Sequence, residues 1–183
     1  MDSKYFSNPK VKRVKDKPVL IAKGRLTPKG FQDPEKHLHR VDSPTVAKSV
    51  LYVVFMVGMS LGWEFIKADI SGAFLQGEPL ARDNLWVRTP QELVDLGLVP
   101  PDKRCRKVMK AVYGMNEAPR KWWRALTEMA KALRFTASLL DPCLLMLQEN
   151  GRVVCVILVY VADLILAGSK EKALDVLRKL AEK

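Results

Sequence analysis

The most apolar stretch of the chain covers residues 152–169, RVVCVILVYVADLILAGS, and it contains a single acidic residue, Asp163. The run is shorter than the roughly 20 apolar residues of a membrane helix and is rich in β-branched residues. It therefore predicts two buried strands, 153–159 and 164–167, joined by a tight turn at 160–163. A buried carboxylate is costly unless a cation or metal pairs with it. Asp163 therefore lies either at an exposed turn or at a site.

The pattern elsewhere alternates between strands and helices. Ser43-Pro44 predicts the start of a helix over 44–61 that is apolar nearly all round and hence buried. Residues 63–69 predict a strand that ends in Asp69. Further predicted elements are a basic hairpin of residues 19–26 and 28–32, strands at 85–88, 105–112 and 144–147, a type I′ turn at Asn150-Gly151, and helices over 119–134 and after Ser169. Since strict βαβ alternation is missing, the predicted class is α+β, with a largely antiparallel sheet packed on helices.

The distribution of charge adds information about partners, because the positive charge is concentrated in two blocks of the chain. The 183 residues carry a net charge of +11. Residues 1–40 contain 11 Lys/Arg against 4 Asp/Glu, and residues 102–134 contain 10 against 3. These blocks suggest a polyanionic partner, with nucleic acid first and an anionic membrane surface second. The alternative is a basic surface that only aids solubility, and no segment predicts a transmembrane span.

The three cysteines form no CxxC motif. Cys143 and Cys155 lie in apolar runs, which predicts buried thiols. The N-terminus has no signal-peptide pattern. These observations indicate a reducing intracellular compartment, the cytoplasm or nucleus, with an organelle as the alternative.

Two carboxylates, Asp69 and Asp163, end or interrupt buried strands. They converge if strands 63–69 and 153–159 are neighbours, and convergent carboxylates beside basic blocks can hold Mg²⁺ against phosphate. Two-metal phosphoryl transfer usually uses three carboxylates or more. Glu64 is discounted, because its odd offset from Asp69 places it on the opposite face of the strand. Spacing alone leaves both a metal site and a lone turn aspartate open.

Three segments carry a family resemblance. YVADLILAG at 160–168 resembles the YVDD-LLLAG box of reverse transcriptases. FIKADISGAFLQGE at 65–78 resembles the segment that supplies the first catalytic Asp in copia-type retrotransposon enzymes. CRKVMKAVYGMNEAPRKWW at 105–123 is similar to their CRLKKALYGLKQAPRAWY block.

Three shorter blocks extend the resemblance: DPCLL at 141–145, SPTVAKSV at 43–50, and AKGRLTPKGFQ at 22–32, the last similar to the basic fingers segment. All the blocks follow in family order and at family spacing from about residue 19 to 183. The chain is identified as a member of the copia-type reverse transcriptases, which are RNA-directed DNA polymerases.

The resemblance implies a right-hand polymerase fold with fingers and palm over residues 19–183, preceded by a basic N-terminal arm at 1–18. It implies Mg²⁺ as cofactor and an RNA/DNA template-primer as partner. The family's thumb, connection and RNase H regions are expected to be missing, because the chain stops about 20 residues past the YVAD box.

The resemblance also assigns site residues. Asp69 and Asp163 correspond to catalytic metal ligands, and the carbonyl of Ile70 to a minor ligand. Phe74 corresponds to the steric gate under the incoming sugar. The implied nucleotide-binding residues are Lys23, Arg25, Phe74, Tyr113 and Gly114, and the implied nucleic-acid-binding residues are Lys29, Arg120, Lys121 and Arg124.

One departure bears directly on activity. The family box has two adjacent Asp residues, and Ala162 stands in place of the first, which is expected to bridge both metals. Adjacent strand residues point to opposite faces, so Asp163 is not expected to substitute for it. Glu117 is expected to reduce positive charge near the nucleic-acid path. The sequence thus predicts an impaired nucleotidyltransferase.

Three functional hypotheses remain open: an active polymerase, an inactive reverse-transcriptase-like domain kept as a nucleic-acid-binding or scaffold subunit, and a degenerate fragment. An introduced Asp→Ala change at 162 would give the same sequence. The scaffold hypothesis predicts an exposed apolar patch on the helix at 169–182, with a protein partner docked around 169–183.

Overall fold

The computed structural model describes residues 1–14, 17–40 and 42–182. The strands are β1 (Ser3–Val14), β2 (Lys17–Pro28), β3 (Glu64–Asp69), β4 (Trp86–Arg88), β5 (Cys105–Lys107), β6 (Phe135–Ala137), β7 (Leu144–Glu149), β8 (Arg152–Tyr160) and β9 (Asp163–Gly168), and the helices are α1 (Lys48–Ser60), α2 (Gln91–Asp95), α3 (Ala118–Ala132) and α4 (Lys170–Ala181). The strand pairs among these residues are antiparallel, so the predicted α+β class is confirmed.

The chain divides into two compact units. The hairpin unit consists of Met1–Arg40 and Pro79–Ala118, and the sheet unit consists of Val41–Glu78 and Pro119–Lys183. Each unit is built from two separate segments of the chain.

A long ribbon of β1 and β2 dominates the hairpin unit. The two strands pair from Ser3↔Pro28 to Val14↔Lys17, so residues 1–18, expected to be an arm or the entry into a strand, contain the partner of β2. The expected hairpin between 19–26 and 28–32 is wrong, because Gly30–Gln32 forms a 3₁₀ turn. Prolines in these segments made the strand pair hard to predict from the sequence. Both strands of a two-stranded ribbon are edge strands, and edge strands tolerate proline.

The hairpin unit contains a half-buried cluster of ion pairs that is centred on Arg82. Its guanidinium donates to both carboxylate oxygens of Asp33, to Glu35 Oε2 at 3.3 Å and to Glu117 Oε1 at 2.8 Å. These hydrogen bonds lower the pKa of Asp33 and raise the pKa of Arg82. The cluster ties the segment after β2 to the segment before α3. Glu117 therefore has a structural role in this cluster, and its expected place near a nucleic-acid path stays a prediction.

We expect Arg82→Gln to destabilise the protein by about 3 kcal/mol at pH 7, because it leaves buried carboxylates without their cation. The pKa of Asp33 is lowered in the folded state, so this contribution is present above the unfolded-state pKa of about 4 and is lost as the pH falls through the folded-state pKa. Urea unfolding at several pH values measures the difference. The control is Lys107→Gln, whose partner Asp83 is fully solvated. An equal loss in both variants would contradict a special role for Arg82.

The sheet unit is built on a five-stranded antiparallel sheet in the order β3-β9-β8-β7-β6. Cross-strand partners share a face of a sheet, and the core face carries six fully buried side chains: Leu145, Cys155, Ile157, Val159, Leu164 and Leu166. Helix α4 packs against β3, β8 and β9. The turn between β7 and β8 has positive φ at Asn150 (51°) and Gly151 (74°), which confirms the predicted type I′ hairpin.

Helix α1 contacts the sheet through Phe55, whose ring lies 4.8 Å from that of Phe65 in an edge-to-face arrangement. It begins at Lys48, after an Ala47 N-cap, so the predicted start at 43–44 is wrong. The prediction that it is buried all round is also wrong, because it leaves an apolar face exposed: Tyr52, Val53, Met56, Val57 and Met59. An apolar helix is buried only on the faces that another layer covers. Between α1, β7 and β8 lies an open apolar groove of about 690 Å³.

Helices α3 and α4 present their apolar stripes to the core. On α3 the fully buried stripe is Trp122, Leu126 and Ala130. Helix α4 is capped by Ser169 as predicted. None of its described residues exposes a large apolar side chain. The exposed apolar patch that was expected at 169–182 lies on α1 instead. Among the described residues, the helices lack the length and apolarity needed to cross a bilayer.

Buried thiols at Cys143 and Cys155 are confirmed, whereas Cys105 is exposed. Burial raises the pKa of each buried thiol to about 11. Both sulfurs therefore stay protonated and unreactive at neutral pH.

Candidate active site

The turn between β8 and β9 positions Asp163. Tyr160 pairs with Asp163, so Val161 and Ala162 form a two-residue turn, as the sequence predicted. Val161 has φ of 56°, a left-handed conformation that is unfavourable for a β-branched residue. The indole Nε1–H of Trp122 donates to the carbonyl of Val161 at 2.8 Å, and Trp122 is only 1% exposed. A buried helix side chain thus holds the strained turn in place.

Asp69 and Asp163 are direct cross-strand partners. They meet because β3 pairs with β9, whereas the sequence argument had required β3 to lie beside the 153–159 strand. The amide of Ile70 donates to the carbonyl of Ala162 at 3.2 Å, so Asp69 and Asp163 form a non-hydrogen-bonded pair, the position where opposed side chains lie closest. The two carboxylates therefore share one face.

Ala162 lies in the turn, outside the strands. Strict strand alternation therefore does not extend from position 162 to Asp163, and the expectation that Asp163 does not substitute for the missing carboxylate stays a prediction. Asp163 is the first residue of β9, and its side chain lies on the Asp69 face.

A lysine lies on the same face as the carboxylate pair. Lys67 is two residues before Asp69, and its Nζ lies 3.1 Å from Asp163 Oδ1. Glu64 sits at the other end of β3 and pairs with Lys170 at 3.8 Å, consistent with its having been discounted as a ligand. Sequence reasoning missed Lys67, although its even offset from Asp69 was the signal that could have found it.

The residues present do not fit a two-metal centre. The described part of the chain contains no group of three or more His, Cys, Asp or Glu side chains arranged to hold a metal ion. Two carboxylates oppose each other, and one of them already contacts an ammonium group. The carbonyl of Ile70, the expected minor ligand, accepts a hydrogen bond from the amide of Ala73 at 3.2 Å.

The expected steric gate, Phe74, follows the carboxylate strand. It lies in a 3₁₀ turn, Ala73–Gln76, and is buried. Gly72, with φ of 65°, turns the chain between Asp69 and this segment. The structure thus places Phe74 in the same unit as the carboxylate pair, and its role remains a prediction.

The other expected nucleotide-binding residues belong to the hairpin unit. The Arg25 guanidinium carbon lies 5.5 Å from the ring centre of Tyr113, a cation–π contact. Gly114 has φ of 95°, and a Cβ there would approach Pro28 O to 2.4 Å, so only glycine fits. Lys23 lies in β2, with its side chain outside the described part of the structure.

Most of the cations expected to bind nucleic acid have acidic partners in the structure. Arg120 pairs with Asp42 at 2.7 Å and stacks on the ring of Trp123 at 4.7 Å. Arg124 lies 3.6 Å from Glu78, and Lys29 lies 3.7 Å from Asp2. Lys121 is half-buried on the same helix. Arg120 and Arg124 are one turn apart on α3, each beside its acidic partner.

Comparison with known proteins identifies the family of the chain. The chain matches the family model for reverse transcriptase (RNA-dependent DNA polymerase) over residues 4–183. It is 33% and 31% identical, over 80% of its length, to the retrovirus-related Pol polyproteins from transposons RE2 and RE1 of Arabidopsis thaliana. It is 25% identical over 90% of its length to that from transposon TNT 1-94 of Nicotiana tabacum. No solved structure matches.

The chain therefore belongs to the reverse transcriptase family, and within it to the copia-type retrotransposon domains. It spans about a tenth of the length of these curated relatives: 10% of the first two and 12% of the third.

We expect Trp122→Phe to destabilise the protein by about 1–2 kcal/mol, because it removes the donor to the Val161 carbonyl and leaves a half-buried acceptor unpaired. Thermal and urea unfolding measure the loss. Amide hydrogen exchange tests the location, with faster exchange expected at 160–163 before global unfolding. Trp63→Phe, in the apolar groove, is the control. Unchanged exchange at the turn would show that the indole does not hold it.

Proposed function

We propose that this chain is a polymerase-derived domain in which the sheet unit is the palm and the hairpin unit is the fingers. The carboxylate pair Asp69–Asp163 on an antiparallel sheet supports the palm assignment. The fingers and palm then include the expected residues 19–183, and the fingers also include β1 (Ser3–Val14), which pairs with β2.

In this proposal the domain is catalytically impaired. Reverse transcriptases use Mg²⁺, and the position that the resemblance assigns to a metal-bridging carboxylate holds the methyl group of Ala162. Phosphoryl transfer depends on carboxylates that fix the ions at the reacting oxygens. Two opposed carboxylates, one of them paired with Lys67, cannot take over that role.

The remaining proposed roles follow from the family motifs, residue by residue. Ile70 would offer its carbonyl near the carboxylates, and Phe74 would contact the sugar of an incoming nucleotide. Lys23, Arg25, Tyr113 and Gly114 would contribute nucleotide contacts from the fingers. Arg25, already stacked on Tyr113, is the best supported of these, because a guanidinium suits phosphate.

We further propose that nucleic-acid binding is retained. The net charge of +11 supports it, as do the cations Lys29, Arg120, Lys121 and Arg124 on the two basic blocks. The acidic partners of three of them, Asp2, Asp42 and Glu78, are partly exposed, and solvent-screened ion pairs are weak enough to exchange for phosphate. Binding of a template-primer would thus be mainly electrostatic.

A scaffold subunit is the second candidate, and the exposed apolar face of α1 favours it. A protein partner around 169–183, as the sequence suggested, would meet a helix whose large apolar side chains are already covered. A partner that uses α1 would bind through Tyr52 and Met56. Loss of partner binding on substitution of Met56, with nucleic-acid affinity unchanged, would separate the two candidates.

We expect primer extension by Ala162→Asp to exceed that of the unchanged chain by at least about 100-fold, since single groups that stabilise transition-state charge contribute about this much. The assay uses an RNA template and DNA primer in Mg²⁺ or Mn²⁺.

The matched control is Ala162→Asn, which has the same size without the charge and should stay inactive. Extension by the unchanged chain at a rate similar to Ala162→Asp would contradict the proposed impairment. Activity in neither protein would contradict the expected gain and show that restoring this carboxylate is not sufficient for polymerisation by these 183 residues.

We expect affinity for an RNA–DNA duplex to fall steeply with salt, and Arg124→Gln to reduce the slope of log K against log salt by about 1. Fluorescence anisotropy over a salt series measures this. Lys179→Gln, on α4 and paired with Asp175, removes the same charge as a control. Equal slopes for the two variants would exclude α3 as the binding surface.

A further inference from the structure

The carboxylate pair poses an electrostatic problem, and a lysine on the same face lies close enough to relieve it. Asp69 and Asp163 face each other across a non-hydrogen-bonded position of the β3–β9 pair. Like charges directly opposite each other are destabilising. A palm site would relieve this repulsion with a divalent cation, yet the described residues do not form a centre for one.

Lys67 supplies the missing positive charge. It lies diagonally across the strand pair from Asp163, within the reach of a long side chain, and its Nζ contacts Oδ1 at 3.1 Å. Its even offset also places its stem on the same face as Asp69. The ammonium thus lies beside the carboxylate that an incoming metal ion would have to bind.

We propose that Lys67 acts as an internal counter-ion at this site and that it, together with the lost carboxylate at position 162, makes the site discriminate against divalent metals. A divalent ion bound to Asp163 would have to displace the ammonium or tolerate it nearby. The inference deepens the proposed loss of activity and rests on it for its biological meaning. The experiment that tests it measures metal binding and does not require polymerase activity.

The size of the expected effect follows from the charge and its exposure. Lys67 is 70% exposed, so the interaction is screened by water. A unit charge about 4 Å from a divalent ion in a water-like medium changes the affinity by roughly ten- to thirtyfold. The effect should weaken as salt is added.

The test compares Mn²⁺ binding to the full chain and to Lys67→Gln, by calorimetry and by the electron paramagnetic resonance signal of free Mn²⁺. We expect Lys67→Gln to bind about ten- to thirtyfold more tightly. Lys170→Gln removes an equal charge from the other end of β3, where it pairs with Glu64, and should leave the affinity unchanged. Equal affinities in the full chain and Lys67→Gln, or equal gains in the two variants, would overturn the proposal.

Thermal unfolding provides a second measurement that remains informative if Lys67→Gln is less stable. In chelator the variant should melt below the full chain, because the carboxylates then repel each other. Millimolar Mn²⁺ should raise the Tm of the variant more than that of the full chain, since only a ligand of the folded state stabilises it. A larger rise in the full chain would overturn the proposal. The polymerase proposal fails separately, through the outcome of Ala162→Asp.

Discussion

The carboxylate site depends on one strained two-residue turn. Val161 adopts a left-handed conformation that a β-branched residue rarely takes, and it keeps this conformation because two elements hold the turn. Trp122 of α3 binds its carbonyl, and the amide of Ile70 binds the next carbonyl. Strain of this kind persists only where the surroundings over-determine it. The turn places Asp163 at the start of β9, and the hydrogen bond from Ile70 to the Ala162 carbonyl continues the β3–β9 register that brings Asp69 opposite Asp163.

In each unit a cationic side chain offsets the charge of carboxylates that are buried or close together. In the hairpin unit, Arg82 gathers three carboxylates through a planar set of donors that matches their geometry. In the sheet unit, Lys67 offers a single flexible ammonium to one member of a pair. The first arrangement is enclosed and rigid, whereas the second is exposed and can rearrange. The contrast fits a structural role for one cluster and a site for the other.

Sequence patterns predicted the parts of the fold that are set by local chemistry. The β8–β9 hairpin, the Asn150-Gly151 turn and the Ser169 cap each depend on neighbouring residues, and each prediction is confirmed. The β1–β2 ribbon and the exposure of α1 depend on which distant segment lies alongside, and periodicity does not contain that information. A two-stranded ribbon of this kind has no hydrophobic face, and such a face is the feature that would identify its strands in the sequence.

The residues of the candidate site also fall into two groups, those that the sequence predicted and those that it did not. Asp69, Asp163 and the substitution at Ala162 were visible in motifs, because those residues carry the chemistry themselves. Lys67 and Trp122 act through geometry: one reaches diagonally across two strands, and the other reaches a carbonyl from a helix about 40 positions earlier in the chain. Neither contact follows from residue type alone. Only the pairing of β3 with β9 and the packing of α3 reveal them.

The apolar face of α1 has a consequence for the behaviour of the chain in solution. Tyr52, Met56 and Met59 expose thioether and aromatic surface on a molecule with a net charge of +11. Mutual repulsion keeps such molecules apart at low ionic strength, and salt removes that repulsion while leaving the apolar attraction intact. Colloidal stability is therefore greatest in dilute buffer, and oxidation of the two methionines to sulfoxides would make the face polar and suppress self-association.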